Sequence, residues 1–531
     1  MRRAHEPELS RRAFLSKTGQ ALTSAATVSL LGQPAVAQPQ PRHGGTLRFA
    51  TRSDVTALDP HRNIYNPAST PLAATTQGLL DLNLRSEPVP GIAYEWEASR
   101  DLRTYTFKLR KGALFHNGRE IDAAAVQWNL ARMLDPSKAG TFTRSALTVL
   151  RTTEVLDKYT IRCHLHRASA AFPANVVYYP CNLIAPDSEA QAGTHPIGCG
   201  PFKFVSWSRY EHTRLERFEN YFETDAAGNP LPYLEAIEGR PKKEDRVRLT
   251  ALRIDEVDLI DSMAYADAKD FSQKYAGKFQ AWPVPIIGTA FITFNLASGP
   301  FMDKRVRQAA AHAIDRDMIH QAVFHGQGAI ATGFYAPQSP WYTPGVKPWP
   351  AYDPEQARSL LRQARALGTE VLVQAQVAFP YMRQISDLLQ TMWSDIGLKV
   401  TTNMYDQEVV LHKRRAGDFH ADVMGASYRF DPDGWFARVL YSAAPATKDE
   451  SRFQNARADQ LIIEAGQTAE PRQRLDRYTE VENIVNEELP ILYLHHLTVL
   501  EAGSLRLRGY QPALSGPFSV AGGGIRTAWM A

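Results

Sequence analysis

Three cysteines among 531 residues, Cys163, Cys181 and Cys199, are too few and too odd in number for a disulfide-stapled scaffold. Long apolar runs are missing as well. The stretch from about Ala21 to Leu31 falls short of the ~20 residues a permanent bilayer span requires. Charge of one sign is not in surplus: 60 Lys and Arg face 56 Asp and Glu, and the first 37 residues hold five of the bases and two of the acids, which leaves 55 against 54. That balance removes a global electrostatic case for nucleic-acid binding. No GxSxG elbow, HExxH helix, paired CxxC motif or P-loop lysine occurs, so standard enzyme chemistry has no motif to stand on. His164 with His166, and His495 with His496, offer only two imidazoles each and are read as solvated or hydrogen-bonded rings. No catalytic residue, cofactor or metal site is expected.

The chain is too long for one simple core, and its ordinary composition suits a globular protein of two or three lobes. Its N-terminus reads SRRAFLSKTGQALTSAATVSLLGQPAVAQ. An arginine pair, a modest apolar run and the small-residue site Ala35-Val36-Ala37 predict a twin-arginine export signal over 1–37 and a periplasmic product. No cysteine follows the run, so a lipid anchor is not expected. In YTIRCHLH, alternation places Cys163 on the buried face of a strand. Cys181 and Cys199 bracket one loop and are a candidate disulfide; the alternative is two unpaired thiols. The reactive-thiol reading of GCGPF competes with a tight backbone crossing, which is preferred.

Periodicity then divides the chain. GGTLRFATRS alternates as a half-covered strand, and a helix is expected from near Ser69. TYTFKLRKG puts Tyr105, Phe107 and Leu109 on one face, Asn117-Gly118 makes a turn, and Asp122 caps AAAVQWNLARML. This suggests a small inserted α+β lobe over 84–195. VRLTALRIDEVDLIDSM is ambiguous between strand and helix, and GRPKKEDRVR reads as a solvated loop. FITFNL is a strand, Asp303 caps the next helix, a Pro-rich loop follows, and Asp353-Pro354 starts EQARSLLRQARALG. TEVLVQAQV, ISDLLQTMWSDIG and LKVTTNMY form a strand, helix, strand unit of an α/β lobe. A last helix runs into the apolar strand ILYL. Late in the chain, GASYRFDPDGWF crowds aromatics and an arginine around DPDG, whose residues suit a turn.

In order and spacing these segments resemble the periplasmic solute-binding proteins of peptide and nickel type ABC importers, the family 5 extracellular solute-binding proteins. GGTLRFATRSDVTALDP, YTFKLRKGALFHNGREIDAAAVQWNLARM, GCGPFKFVSW, FNLASGPFMDKRVRQAAAHAIDRDMI and LPILYLHH carry the likeness. The resemblance implies a two-lobed α/β fold of the periplasmic binding protein type (type II, cluster C) with an extra α+β subdomain in the first lobe. Lobe I would comprise 44–83, 196–288 and 490–531, and lobe II 289–489. It implies capture rather than conversion: a monomer closes over a small organic solute and docks on an inner-membrane ABC permease. A periplasmic hydrolase using Cys199 is the remote alternative. Ligand contacts are expected at Asn63, Ile64 and Tyr65, at Phe334 and Tyr335, at Met424, Ser427, Tyr428, Arg429 and Phe430, and at His495. Trp341, Trp349 and Trp435 are read as packing anchors.

Peptide binders of this family keep an aspartate three residues before the Asp-Pro of this loop, where it pairs with the peptide's ammonium. Tyr428 occupies that position. Without the carboxylate, a free N-terminus loses its charge-assisted anchor, while Arg429 suits a carboxylate or phosphate. The expected ligand is therefore a peptide derivative, opine, glycoside or other small molecule, with an unmodified di- or oligopeptide as the alternative.

Overall fold

The computed structural model describes residues 40–531 except 56, 63–70, 428, 514, 515, 517, 519 and 520, and only the backbone of 71, 269, 272 and 427. The segment read above as an export signal, the helix start expected near Ser69, Asn63, Ile64, Tyr65, Tyr428 and the Ser427 side chain lie outside what is described.

Two long antiparallel strands form the spine. Phe279–Phe294 and Ile491–Ser504 pair from Phe279 opposite Ser504 to Thr293 opposite Ile491, with register shifts between Pro285 and Thr289 and between Ala290 and Phe291. Such irregularities bend a strand locally. The expected strand FITFNL is only the end of the first, because Pro283 and Pro285 read as breakers; they pair with Leu500 and Thr498 instead. Beyond Ile491–Ser504 the sheet continues through Leu259–Ile260, Thr46–Thr51, Ala236–Pro241, His212–Arg217 and Phe202–Ser208. Beyond Phe279–Phe294 it continues through Ala421–Ser427, Glu370–Gln376 and Lys399–Tyr405. The two halves thus share a sheet whose middle is the long pair.

Between the early strands sits a separate four-stranded antiparallel sheet, in the order Ala93–Ala98, Thr104–Leu109, Thr160–Leu165, Leu150–Asp157. Tyr105, Phe107, Leu109 and Cys163 are buried on one face, as alternation requires. Ala123–Leu134 packs with it, and Asp122 accepts a bond from the Ala125 amide at 2.8 Å, satisfying one orphan donor of the first turn.

Elsewhere the caps fall where the sequence puts them. Asp303 accepts from the Arg305 amide to start Lys304–His312, and Asp353 accepts from Gln356 to start Pro354–Ala364. The latter helix stops short of the expected end because Arg365 turns left-handed, with φ 54°. One open reading is settled and one is corrected. VRLTALR lies in a helix, Asp245–Arg253, followed by the two-residue strand Leu259–Ile260. The charged cluster around it is not simply solvated: the Arg248 guanidinium is wholly buried and donates to the carbonyls of Lys242, Lys243 and Ser262, with Asp261 3.3 Å away. Those acceptors offset its desolvation.

Cys181 and Cys199 stand as separate buried thiols, so the candidate disulfide is not formed. The Cys199 thiol donates weakly toward the Gln77 carbonyl at 3.6 Å, and burial pushes its pKa up to about 12. The flanking glycines mark a close backbone crossing. A Cβ at Gly198 would stand 2.0 Å from the Thr75 carbonyl oxygen, and one at Gly200 2.3 Å from that of Ala74.

One contiguous apolar core runs from the inserted sheet, through Phe107 and Phe172, to Phe334, Trp435, Tyr478 and Tyr493. The Ala170 amide donates to the Gly466 carbonyl at 2.9 Å, so the insert seats on the second half of the chain. Among the described residues no helix is long and apolar enough to cross a membrane.

Candidate functional site

The strand Ala421–Ser427 runs beside the spine with Met424 opposite Phe291 and Gly425 opposite Ala290. It therefore releases the following loop at the middle of the shared sheet, between the two halves. The DPDG segment is not the surface turn its composition suggests. Asp433–Val439 is helical, and Asp431 is buried. The reason is tertiary: Arg474 donates to both Asp431 oxygens, at 2.7 and 2.6 Å, and draws the carboxylate inward. Trp435 and Phe436 are buried as expected. The Trp435 ring stacks on Phe334 at 4.0 Å and 14°, and its Nε1 donates to the Tyr493 hydroxyl at 3.1 Å.

Three sequence candidates meet here. The Tyr335 hydroxyl donates to the Arg429 carbonyl at 3.2 Å, and Trp341 Nε1 donates to the neighbouring Phe430 carbonyl at 3.1 Å. Arg474 in turn lies 5.0 Å over the Trp341 ring. Phe334 underlies the group. Its amide donates to Glu482 at 3.0 Å, and its carbonyl accepts from the Thr289 hydroxyl. Burial pushes Glu482 up to about 8, and its Oε2 has no hydrogen-bond partner.

Across from this loop the insert contributes Tyr178. Its ring stands 5.0 Å from Phe430 and 5.6 Å from Phe142. Burial raises its pKa, and the charge of Arg429 opposes that rise. Gly434 keeps the approach open: a Cβ there would lie 3.3 Å from Arg429 Cδ and 3.9 Å from the Tyr178 hydroxyl. The result is an aromatic seam with a guanidinium beside it, formed by segments about 250 residues apart in the chain. Such a place can bury a flat or apolar body and orient one acidic group.

Other candidates are placed differently. Met424 faces the core, its sulfur accepting from the Thr293 hydroxyl at 3.4 Å. His495 belongs to a separate cluster, stacked on Phe324 at 3.7 Å and 4° and sharing a 2.9 Å hydrogen bond with His320. Burial, then His320 and His496, drive its pKa down to about 3. Sequence reasoning missed Tyr178, Phe142 and Glu482. The doublet Tyr178-Tyr179 was the only local sign of the first, and nothing local ties position 178 to 430.

Comparison with known proteins follows the same lines. A sequence profile of the bacterial extracellular solute-binding proteins, family 5 Middle, matches residues 87–448. The di/tripeptide-binding protein 1 of Pseudomonas aeruginosa (strain UCBPP-PA14) is 27% identical over 513 residues, covering 90% of this chain and 94% of its own. The glutathione-binding protein GsiB of Pectobacterium atrosepticum is 26% identical over 484 residues, covering 87% and 90%. The structure of HbpA2 from Haemophilus parasuis superposes with a TM-score of 0.80 at 22% identity, covering 92% of this chain and 100% of that one. The fold is therefore the two-lobed periplasmic binding protein fold. The chain belongs to the bacterial extracellular solute-binding proteins, family 5, the solute receptors of ABC importers.

Proposed function

We propose that the chain captures a small acidic organic solute between its lobes and delivers it to an inner-membrane ABC permease. The lobes in this reading are 44–83 with 196–288 and 490–531, and 289–489, with 84–195 inserted. Export by the twin-arginine route and action as a monomer complete it. One observation carries the ligand class: Arg429 lies in the seam where Tyr178 and Phe430 meet, while the position at which peptide binders keep an acid is Tyr428. A cation beside aromatic walls favours a carboxylate or phosphate on an otherwise apolar body. Tyr335, Phe430, Arg429 and Tyr178 are the proposed contacts, with Asn63, Ile64, Tyr65, Ser427 and Tyr428 supplying the rest; Met424 and His495 support the strands behind. The relative named for glutathione binding is compatible with an acidic peptide derivative.

The alternative is an unmodified di- or oligopeptide, favoured by the relative named for di- and tripeptide binding. Native mass spectrometry of the mature protein, with thermal-shift titration by glutathione and by alanyl-alanine, separates the two. We expect an acidic solute to co-purify and glutathione to stabilise more than alanyl-alanine. Stabilisation by the neutral-side-chain dipeptide alone would sink the preference. A hydrolase using Cys199 finds no support in a thiol this buried and this hard to ionise.

A further inference from the structure

We infer that Thr289 is a positioning residue for solute binding: its hydroxyl fastens Phe334, the floor of the aromatic seam, to the long strand pair where the Arg429 loop departs. The inference rests on the receptor reading above and adds to it the residue that fixes the geometry of the seam.

Placement comes first. Thr289 lies on Phe279–Phe294 between the two register shifts, opposite His496 on one side and Ala426 on the other. Ala426 is one residue from the end of Ala421–Ser427, after which the loop carrying Arg429 and Phe430 begins. The ladder to Ile491–Ser504 is interrupted on both sides of this point, so pairing alone does not fix what stands beside it.

Partnership comes second. Thr289 is fully buried, and its hydroxyl stands 2.5 Å from the Phe334 carbonyl and 3.1 Å from His496 Nδ1. A carbonyl only accepts, so the hydroxyl gives its single proton there and keeps its lone pairs for His496. The ring proton of His496 must then sit on Nδ1. Burial takes the pKa of that ring down to about 4, so at neutral pH it carries one proton and one tautomer is required. Among the described residues no other donor reaches the Phe334 carbonyl.

Phe334 passes the constraint on. Its ring stacks on Trp435, its amide donates to Glu482 at 3.0 Å, and the adjoining Tyr335 hydroxyl donates to the Arg429 carbonyl at 3.2 Å. Thr289 thus meets the strand that releases the loop through Ala426, and the loop itself through Phe334 and Tyr335. A β-branched side chain, stiff about its first torsion, suits a fixed link of this kind.

The test begins with the full-length wild-type chain carrying nitrogen-15 in its histidine rings, His496 being assigned with His496→Gln. We expect nitrogen shifts of the Nδ1–H tautomer at neutral pH. The Nε2–H form would set a lone pair against the Thr289 oxygen, draw its proton away from Phe334 and overturn the inference. Hydrogen–deuterium exchange then compares Thr289→Val with Thr289→Ser. We expect the valine to speed exchange severalfold in peptides over both 331–336 and 428–436, and the serine to restore it. Faster exchange confined to 279–294, or a serine variant that behaves like the valine, overturns the role; should the valine chain not fold, the tautomer and the serine variant decide. In fluorescence titration with glutathione, affinity should fall severalfold in Thr289→Val and return in Thr289→Ser, and an unchanged affinity in the valine variant again overturns it. Glutathione that fails to bind the wild-type chain counts against the acidic-solute reading alone, because the tautomer and exchange results decide the role of Thr289 without a ligand.

Discussion

The Asp431 carboxylate and the Arg474 guanidinium meet in a two-pronged, almost fully buried ion pair, at 2.6 and 2.7 Å. It ties the loop that carries Arg429 and Phe430 to the helix Pro471–Glu488, and the same arginine covers Trp341. Asp431→Ala strands a cation in a dry site, so we expect a loss of about 3–5 kcal/mol in urea unfolding. The double variant Asp431→Ala/Arg474→Met should recover part of that loss. No recovery would mean that the pair acts through packing rather than charge.

Tyr335→Phe deletes only the bond to the Arg429 carbonyl. A stability change of about 0.5–1.5 kcal/mol is expected. If this bond sets the loop, affinity for the co-purified solute falls by more than that change explains. An unaltered affinity in fluorescence titration would remove Tyr335 from the site's support.

Glu482 gives a pH signature. Its pKa in the folded chain, about 8, lies above the ordinary value of 4.5. The folded state therefore holds a proton that the unfolded state has released, and stability declines as pH rises from about 4.5 to 8. Glu482→Gln keeps an acceptor for the Phe334 amide, so it should raise the melting temperature more at pH 8 than at pH 5. A uniform shift across pH would contradict this account.

His495 acts in the opposite sense. Held near 3 against an ordinary 6.5, it stays neutral when the unfolded chain takes up a proton. Stability is then lost as pH falls from 6.5 toward 3. His495→Asn should flatten part of the acid limb of a melting-temperature profile; an unchanged slope assigns that limb to other groups such as His61, held near 4.

At the GCGPF crossing, Gly198→Ala is expected to be severely destabilising, since its Cβ would meet backbone rather than a movable side chain. Cys199→Ser should leave solute binding intact. Loss of any hydrolytic activity on that substitution would instead revive the enzymatic alternative.

Much of this was legible in the chain itself. Alternation marked Phe107 and Cys163 as inward, and Asp122, Asp303 and Asp353 announced their helices, because caps and strand faces depend on neighbours within a few residues. The order of motifs also carried the family. The prolines of Phe279–Phe294 hid most of a strand, since only its partner Ile491–Ser504 stabilises it. DPDG looked like a turn until Arg474, 43 residues later, drew Asp431 inward and a helix formed behind it. Tyr178 facing Phe430 follows from the seating of the early four-stranded sheet's region on the second half of the chain. Local sequence determined the elements and the residue types available for binding; tertiary packing decided which of them meet, because the contacts that build the site span 250 residues and no local preference encodes them.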